Sequence, residues 1–478
     1  MGLTIAIGWW AGRKVKTAAD FAVAGKNLPM FVAACALFAT WFGSETVMGA
    51  SARFVDEGVP GIIEDPLGAA LCLLLAGLLI ARPLYKLNLL TFSDFFRMRF
   101  SKTTEIISAV LMVPSYFSWI AAQLVALGIL LQTVSGLDRS VGILLCTGLV
   151  LLYTYIGGMW SVAITDFLQT IVIVAGLLVV AVMVVSKAGG WEAMLAAVPA
   201  DKPDFFQFFP KNNSISMLEW IGAWMTIGLG SIPQQDIFQR VMAARTEKAS
   251  VNACYTSAAM YLSIALIPLV IAYGSRMIYP ELAAEDAQAL IPNMVLRHFG
   301  LPVQILFFGA LMSAILSTCS GAMLAPATVI GENIIKELSP KGLDDRQLLH
   351  VMRISLVGVA IITAVMALMR NDIAGLVAES SAFSLVSLVI PLLAGLYWKR
   401  ANAVGAIISM TGGLAIWLLM LWFGPKVAEG AVIPDQPTLW EFLTHISPMM
   451  WGFFASIAGM VIGSLWGRNM PLQPIRQV

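Results

Sequence analysis

The chain has 478 residues, 59% of them hydrophobic and only 12% charged, with a mean hydropathy of +0.84 and a net charge of +1. A soluble domain carries about 25% charged residues, so this composition excludes a soluble enzyme and describes an all-α polytopic membrane protein. Its expected partners are a small-molecule solute, a coupling ion and the lipid bilayer, with no nucleic acid, because no basic patch or low-complexity tail is present.

The first apolar segment, Leu3–Ala11, is too short to span, since a crossing needs about 20 apolar residues. Either the chain begins inside a helix or this helix, residues 1–12, is partial. Twelve full spans follow at 29–50, 66–86, 105–133, 140–156, 161–186, 216–235, 249–275, 301–334, 350–369, 372–397, 402–423 and 447–466. Lys and Arg set the orientation. With the loop after the partial helix placed in the cytoplasm, twenty of the 29 basic residues fall on the cytoplasmic side, among them Arg240 and Arg245. The N-terminus is then outside and the C-terminus in the cytoplasm, in a plasma (inner) membrane. The two long outside loops, 187–215 and 276–300, are expected to cap an extracellular vestibule.

Two spans are broken. Gly43 and Ser44 weaken the first, and Glu45 puts a carboxylate near membrane depth, which costs roughly 3 kcal/mol on insertion scales and marks a cavity or a partner. The second break is Ile227–Asp236, with two glycines, Ser231 and Pro233. Paired interruptions in two halves are the sequence pointer to a secondary transporter's binding site. Residues 29–186 and 216–397 each hold five spans and each begins with a broken one. An odd number per repeat inverts the second copy, so an inverted 5+5 helix repeat is expected, with 402–466 as two further C-terminal helices.

At a break, carbonyls lose their helical partners and become free to hold a cation. That points to the carbonyls of Ala39 and Phe42. Ala314, Ser317 and Thr318 lie at i, i+3 and i+4 on one face of a later span and would add a carbonyl and two hydroxyls. The alternative is that these hydroxyls bond back to their own helix. Asp166 lies one or two turns into a span, either as a charge favoured by the helix N-terminus or as a carboxylate on an inner ion path. Glu45 and Glu379 are the other telling acids, with no basic partner evident at that depth. Glu64 and Asp65 are placed at the outer interface. Trp41 and Trp119 offer faces for an amine, worth roughly 0.5–2 kcal/mol each. The five cysteines read as small buried hydrophobes, and the three histidines lack metal-ligand spacing.

Four stretches, Asp20–Pro29, Ala39–Gly49, Leu152–Gln169 and Ser313–Gly321, resemble the sodium:solute symporter family. The resemblance implies an inverted-repeat fold of the kind found in bacterial amino-acid transporters and coupling to inward Na+. It implies a sodium site of the Ala39, Phe42 and Ala314 carbonyls with the Ser317 and Thr318 hydroxyls, and Asp166 on the sodium exit path. Ala39–Gly43 and Ile232–Val241 are similar to the choline-transporting branch, with Trp41 and Trp119 at its aromatic positions. Gln234 and Ala69 stand where that branch has aromatic rings. The expected solute is therefore amine or choline-like, an amino acid or a carboxylate, held among Trp41, Glu45, Trp119, Gly228, Gln234 and Gln235. The rival readings are proton coupling through Glu45 or Glu379 and a transporter-like nutrient sensor.

Overall fold

The computed structural model describes residues 10, 12–198, 202–210, 214–340, 342–425 and 438–467. The expected partial helix at 1–12 lies outside the described residues, apart from residues 10 and 12. Nine helices among the described residues are long and apolar enough to cross a bilayer, and two bent pairs bring the number to eleven. One of these, Arg139–Lys187, has 49 residues. At 1.5 Å per residue it would run about 70 Å through a hydrocarbon layer of about 30 Å. Its backbone leaves the helical region at Gly158, with φ 49° and ψ −148°. A Cβ there would meet Phe21 Cδ2 at 2.5 Å, so this turn needs glycine for both its conformation and its space. The element thus divides into two spans at the Gly157–Gly158 pair.

The two bent pairs are Met30–Trp41 with Glu45–Glu57, at 52°, and Ser214–Gly230 with Gln235–Ala243, at 49°. They are the two interrupted segments of the sequence. A short parallel bridge ties one to the other: Leu28 N–H donates to Ala243 O and Arg245 N–H to Leu28 O, both at 2.9 Å. Around them pack Val59–Tyr85, Lys102–Ser135, Glu247–Ile278 and Leu301–Leu338. Ala403–Phe423 and Pro448–Trp466 pack on each other at one side. Gly405 and Gly463 let their backbones approach closely, and Ser409 and Ser456 share a hydroxyl hydrogen bond of 2.8 Å. On the face expected to be cytoplasmic, Arg97 joins Glu105 (2.9 Å) and Glu337 (2.7 Å), while Asn333 donates to Asp94 and Glu105. This network fastens Phe92–Arg99 to the ends of two spans.

Candidate substrate and ion site

The helix Met30–Trp41 stops because Phe42 takes φ −77°, ψ 71°. Gly43 N–H then donates to Trp41 O at 2.8 Å and not to Ala39 O, its helical partner. The freed Ala39 carbonyl accepts the Thr318 hydroxyl at 2.9 Å, and the same hydroxyl lies 3.2 Å from Ala314 O. A Cβ on Gly43 would meet Gln123 Oε1 at 2.7 Å, Thr318 Oγ1 at 2.9 Å and Glu45 Oε2 at 3.1 Å. Glycine is required there because side-chain oxygens crowd in from three directions. Ser317, one residue before Thr318, turns its hydroxyl to Asp166 Oδ1. Carbonyl and hydroxyl oxygens from two helices, with no sulfur or imidazole among them, form a donor set that suits a hard cation.

Glu45 opens the second half of the broken span and is buried. Its carboxylate accepts from Trp119 Nε1 at 3.0 Å and from Gln123 Nε2 at 2.6 Å. Gln123 also accepts from Ser44 N–H at 3.1 Å, so one amide caps the restarted helix and orients its acid. Trp119 and Gln123 are four residues apart on Lys102–Ser135 and share a face. Gln123 did not emerge from the sequence reading, although its i+4 relation to Trp119 was the available signal.

Both breaks border one narrow cleft. Trp41, Glu45 and Trp119 form one wall, and Ile227, Ser231 and Gln234 from the second break form another. The remaining wall includes Asp65, Ala69 and Ser380. The cleft is nearly shut, with room for roughly one water. Ser231 shares a 3.1 Å hydrogen bond with Ser381, which holds the second break against Ile373–Tyr397. Two larger hollows, of about 480 and 410 Å³, lie towards the face expected to be extracellular. They share Glu64 and Glu219 as lining residues and make a vestibule. They are open surface, whereas the cleft alone joins the two breaks.

Other expected positions fall elsewhere. Gly228 does not line the cleft; it packs near the Gly68 carbonyl and Leu71, where its missing side chain permits helix approach. Gln235 points away, accepting Phe92 N–H at 2.7 Å and donating to Leu90 O at 3.3 Å. Glu379 is half-exposed and pairs with Arg370 at 2.7 Å, so it is neither unpartnered nor at the cleft. Asp65, placed at the interface by sequence, is buried in the cleft wall; the turn after Glu57 carries it inward. Arg240, counted among cytoplasmic loop charges, is 1% exposed inside the bundle. Its Nη2 stands 3.7 Å from Asp166 Oδ2, Nε donates to Ala36 O at 2.9 Å, and Nη1 to Asp236 O at 3.2 Å. Asp166 therefore has a basic partner at depth, which the sequence reading lacked.

A helical bundle whose two broken spans meet at a buried polar cleft is the architecture of an ion-coupled secondary transporter. The chain belongs to the sodium:solute symporter family, whose model matches residues 21–413. It is 26% identical over 462 residues to the human high affinity choline transporter 1, covering 91% of this chain and 78% of that one. It is 27% identical over 446 residues to the osmoregulated proline transporter OpuE of Bacillus subtilis (strain 168), covering 90% and 89%. Among solved structures it resembles a substrate-bound, outward-open Na+-coupled sialic acid symporter, with TM-score 0.80, 19% identity and coverage of 99% and 97%. It also resembles Mhp1, a nucleobase-cation-symport-1 family transporter, with TM-score 0.59, 14% identity and coverage of 93% and 94%. These likenesses establish the inverted 5+5 fold. The protein is a multi-pass membrane transporter that performs sodium-coupled symport of a small solute.

Proposed function

We propose that the solute is a small amine, imported with Na+ by alternating access at the cleft. The observation that carries this is Glu45, a buried carboxylate in the cleft wall beside Trp41 and Trp119. Every hydrogen bond it accepts comes from a neutral donor: the Trp119 indole, the Gln123 amide and the Ser44 hydroxyl. A buried carboxylate without a counter-charge favours a cationic guest, and both indole faces favour the same. A carboxylate solute would meet like charge from Glu45 and Asp65, which weighs against the acidic alternative. Gln234 supplies an amide where a third ring would stand, which suits an amine with N–H donors.

Sodium is held by the Ala39, Phe42 and Ala314 carbonyls and the Ser317 and Thr318 hydroxyls. The Thr318 contacts to Ala39 and Ala314 already draw three of these groups together. With sodium bound, the first break is tied to Leu301–Leu338, and the cleft is poised towards the outside. Its departure passes Asp166, which the Ser317 hydroxyl touches. The first two spans of each repeat, 29–186 and 216–397, rock against the other core helices, with 402–466 outside the repeats. The protein sits in the plasma (inner) membrane with its C-terminus in the cytoplasm, following the basic-residue bias.

A thermal-shift screen of the purified chain tests this, with amines, amino acids and carboxylates each in sodium and in potassium. A ligand that binds only the folded state stabilises by RT ln(1 + [L]/Kd), about 2.7 kcal/mol at a hundredfold excess over Kd. Stabilisation by amines in sodium alone is the expected result. Equal stabilisation in potassium would move the coupling to protons at Glu45, and a response to carboxylates alone would exclude the amine.

A further inference from the structure

The cleft holds a second carboxylate, on a different helix from the first. Asp65 is 7% exposed, and its Oδ1 accepts the Tyr261 hydroxyl at 3.0 Å. Its Oδ2 is buried with no hydrogen-bond partner among the described residues. Ser380, 2% exposed in the same cleft wall, has a hydroxyl in the same condition. No basic side chain lines the cleft. The nearby cations are engaged elsewhere: Arg53 pairs with Glu64 at 2.5 Å, and Arg240 faces Asp166. Two carboxylates in one nearly dry space, without a guanidinium or ammonium of the protein's own, leave two negative charges to be balanced. Ala69, Ile227 and Val377 supply apolar lining to the same cleft. Two acids and an apolar lining in one cleft are the complement of a short chain with two cationic groups.

We propose that the solute carries two cationic centres, as an aliphatic diamine does. One ammonium pairs with Glu45, flanked by Trp41 and Trp119, and the other with Asp65 and the Ser380 hydroxyl. Both amines of such a molecule are protonated at neutral pH, since an alkyl ammonium titrates near 10. The methylene stem lies against Ala69, Ile227 and Val377. This inference rests on the amine reading above and narrows it. Asp65 accepts the Tyr261 hydroxyl and shares the cleft wall with the unpartnered Ser380 hydroxyl, not with a cage of carbonyls, so an ammonium with three donors suits it better than a second sodium. The vestibule adds to this choice: Glu57 and Glu219 line its hollows beside the Arg53–Glu64 and Arg370–Glu379 pairs, and a net acidic field draws a dication more strongly than a monocation.

The test compares 1,4-diaminobutane with n-butylamine and choline on the purified full chain in sodium, by thermal shift and by equilibrium binding. The diamine is expected to bind at least about tenfold more tightly than n-butylamine, as a second charge pair would provide. Asp65→Asn should weaken the diamine far more than n-butylamine and so erase that preference, while sodium-dependent stabilisation of the variant by n-butylamine certifies that it is folded. Equal binding of the diamine and n-butylamine by the parent chain overturns the inference and leaves the amine reading standing. So does an Asp65→Asn variant that keeps the diamine preference, or one whose defect is reduced steepness of sodium activation. Binding of carboxylates and of no amine overturns both.

Discussion

Two buried carboxylate groups in this bundle are treated in opposite ways. Asp166 has its own cation: Arg240 stands beside it, fully enclosed, and spends its remaining donors on the Ala36 and Asp236 carbonyls. Glu45 has none; an indole, an amide and a neighbouring hydroxyl hold it in place. The first acid has a protein cation opposite it, although that guanidinium stops 3.7 Å from Oδ2, beyond hydrogen-bond reach. The second is oriented but has no protein cation opposite it, and that difference separates a charge balanced by the chain from one left for a guest to balance.

The comparison breaks most readily at Arg240. Removing one partner of a buried pair costs about 3–5 kcal/mol, because the other charge stays behind. Arg240→Ala is therefore expected to lower the melting temperature of the solute-free protein sharply, with partial recovery on adding Asp166→Asn. Glu45→Gln should do the reverse. It removes a charge that has no partner, so the solute-free protein melts no lower than the parent, while amine affinity falls by about 2–5 kcal/mol. A Glu45→Gln variant that melts far below the parent would erase the distinction.

Smaller effects sharpen it. Trp119→Phe keeps a ring but deletes the donor to Glu45, and leaving that carboxylate one bond short is expected to cost about 1–3 kcal/mol in solute binding. Thr318→Ala removes the hydroxyl between Ala39 and Ala314 and should raise the half-saturating sodium concentration by about tenfold or less, corresponding to roughly 1 kcal/mol. Thr318→Ser should restore it, and solute binding at saturating sodium should change little. The smallest effect is expected at Glu379→Gln. Its pair with Arg370 is half-exposed, and such pairs are worth about 0–1 kcal/mol, so transport should stay within twofold of the parent.

Much of this was legible in the chain. Hydropathy marked the spans, and the glycines at 43, 228 and 230 marked both breaks. Ala39, Ala314 and Thr318 could be grouped because helical spacing puts 314 and 318 on one face. What sequence could not carry is rotation about a break. Gln235 follows Gln234 directly, yet the chain restarts as helix between them, so one amide borders the cleft and the next bonds Phe92 and Leu90. Asp65 looked interfacial because it directly precedes the span expected at 66–86, but the 59–68 turn carries it inward. Arg240 looked like a loop charge because its neighbours Arg245 and Lys248 are; only the packed helix shows that it reaches Asp166.

Tyr261 reaches the surroundings of both Glu45 and Asp65. Its oxygen lies 3.0 Å from Trp41 O, 3.0 Å from Asp65 Oδ1 and 2.6 Å from Thr46 Oγ1. A phenol has a single proton to give, so it cannot serve the carbonyl at the end of the first broken helix and the Asp65 carboxylate together. Trp41 O also accepts Gly43 N–H at 2.8 Å and the Thr46 hydroxyl at 3.2 Å, so Asp65 is the oxygen that depends more on the phenol. A cation arriving at Asp65 would release that proton to Trp41, one residue from Phe42 and two from Ala39. The position of a single hydrogen would thereby join the occupancy of the cleft to the stretch of backbone proposed to present its oxygens to sodium.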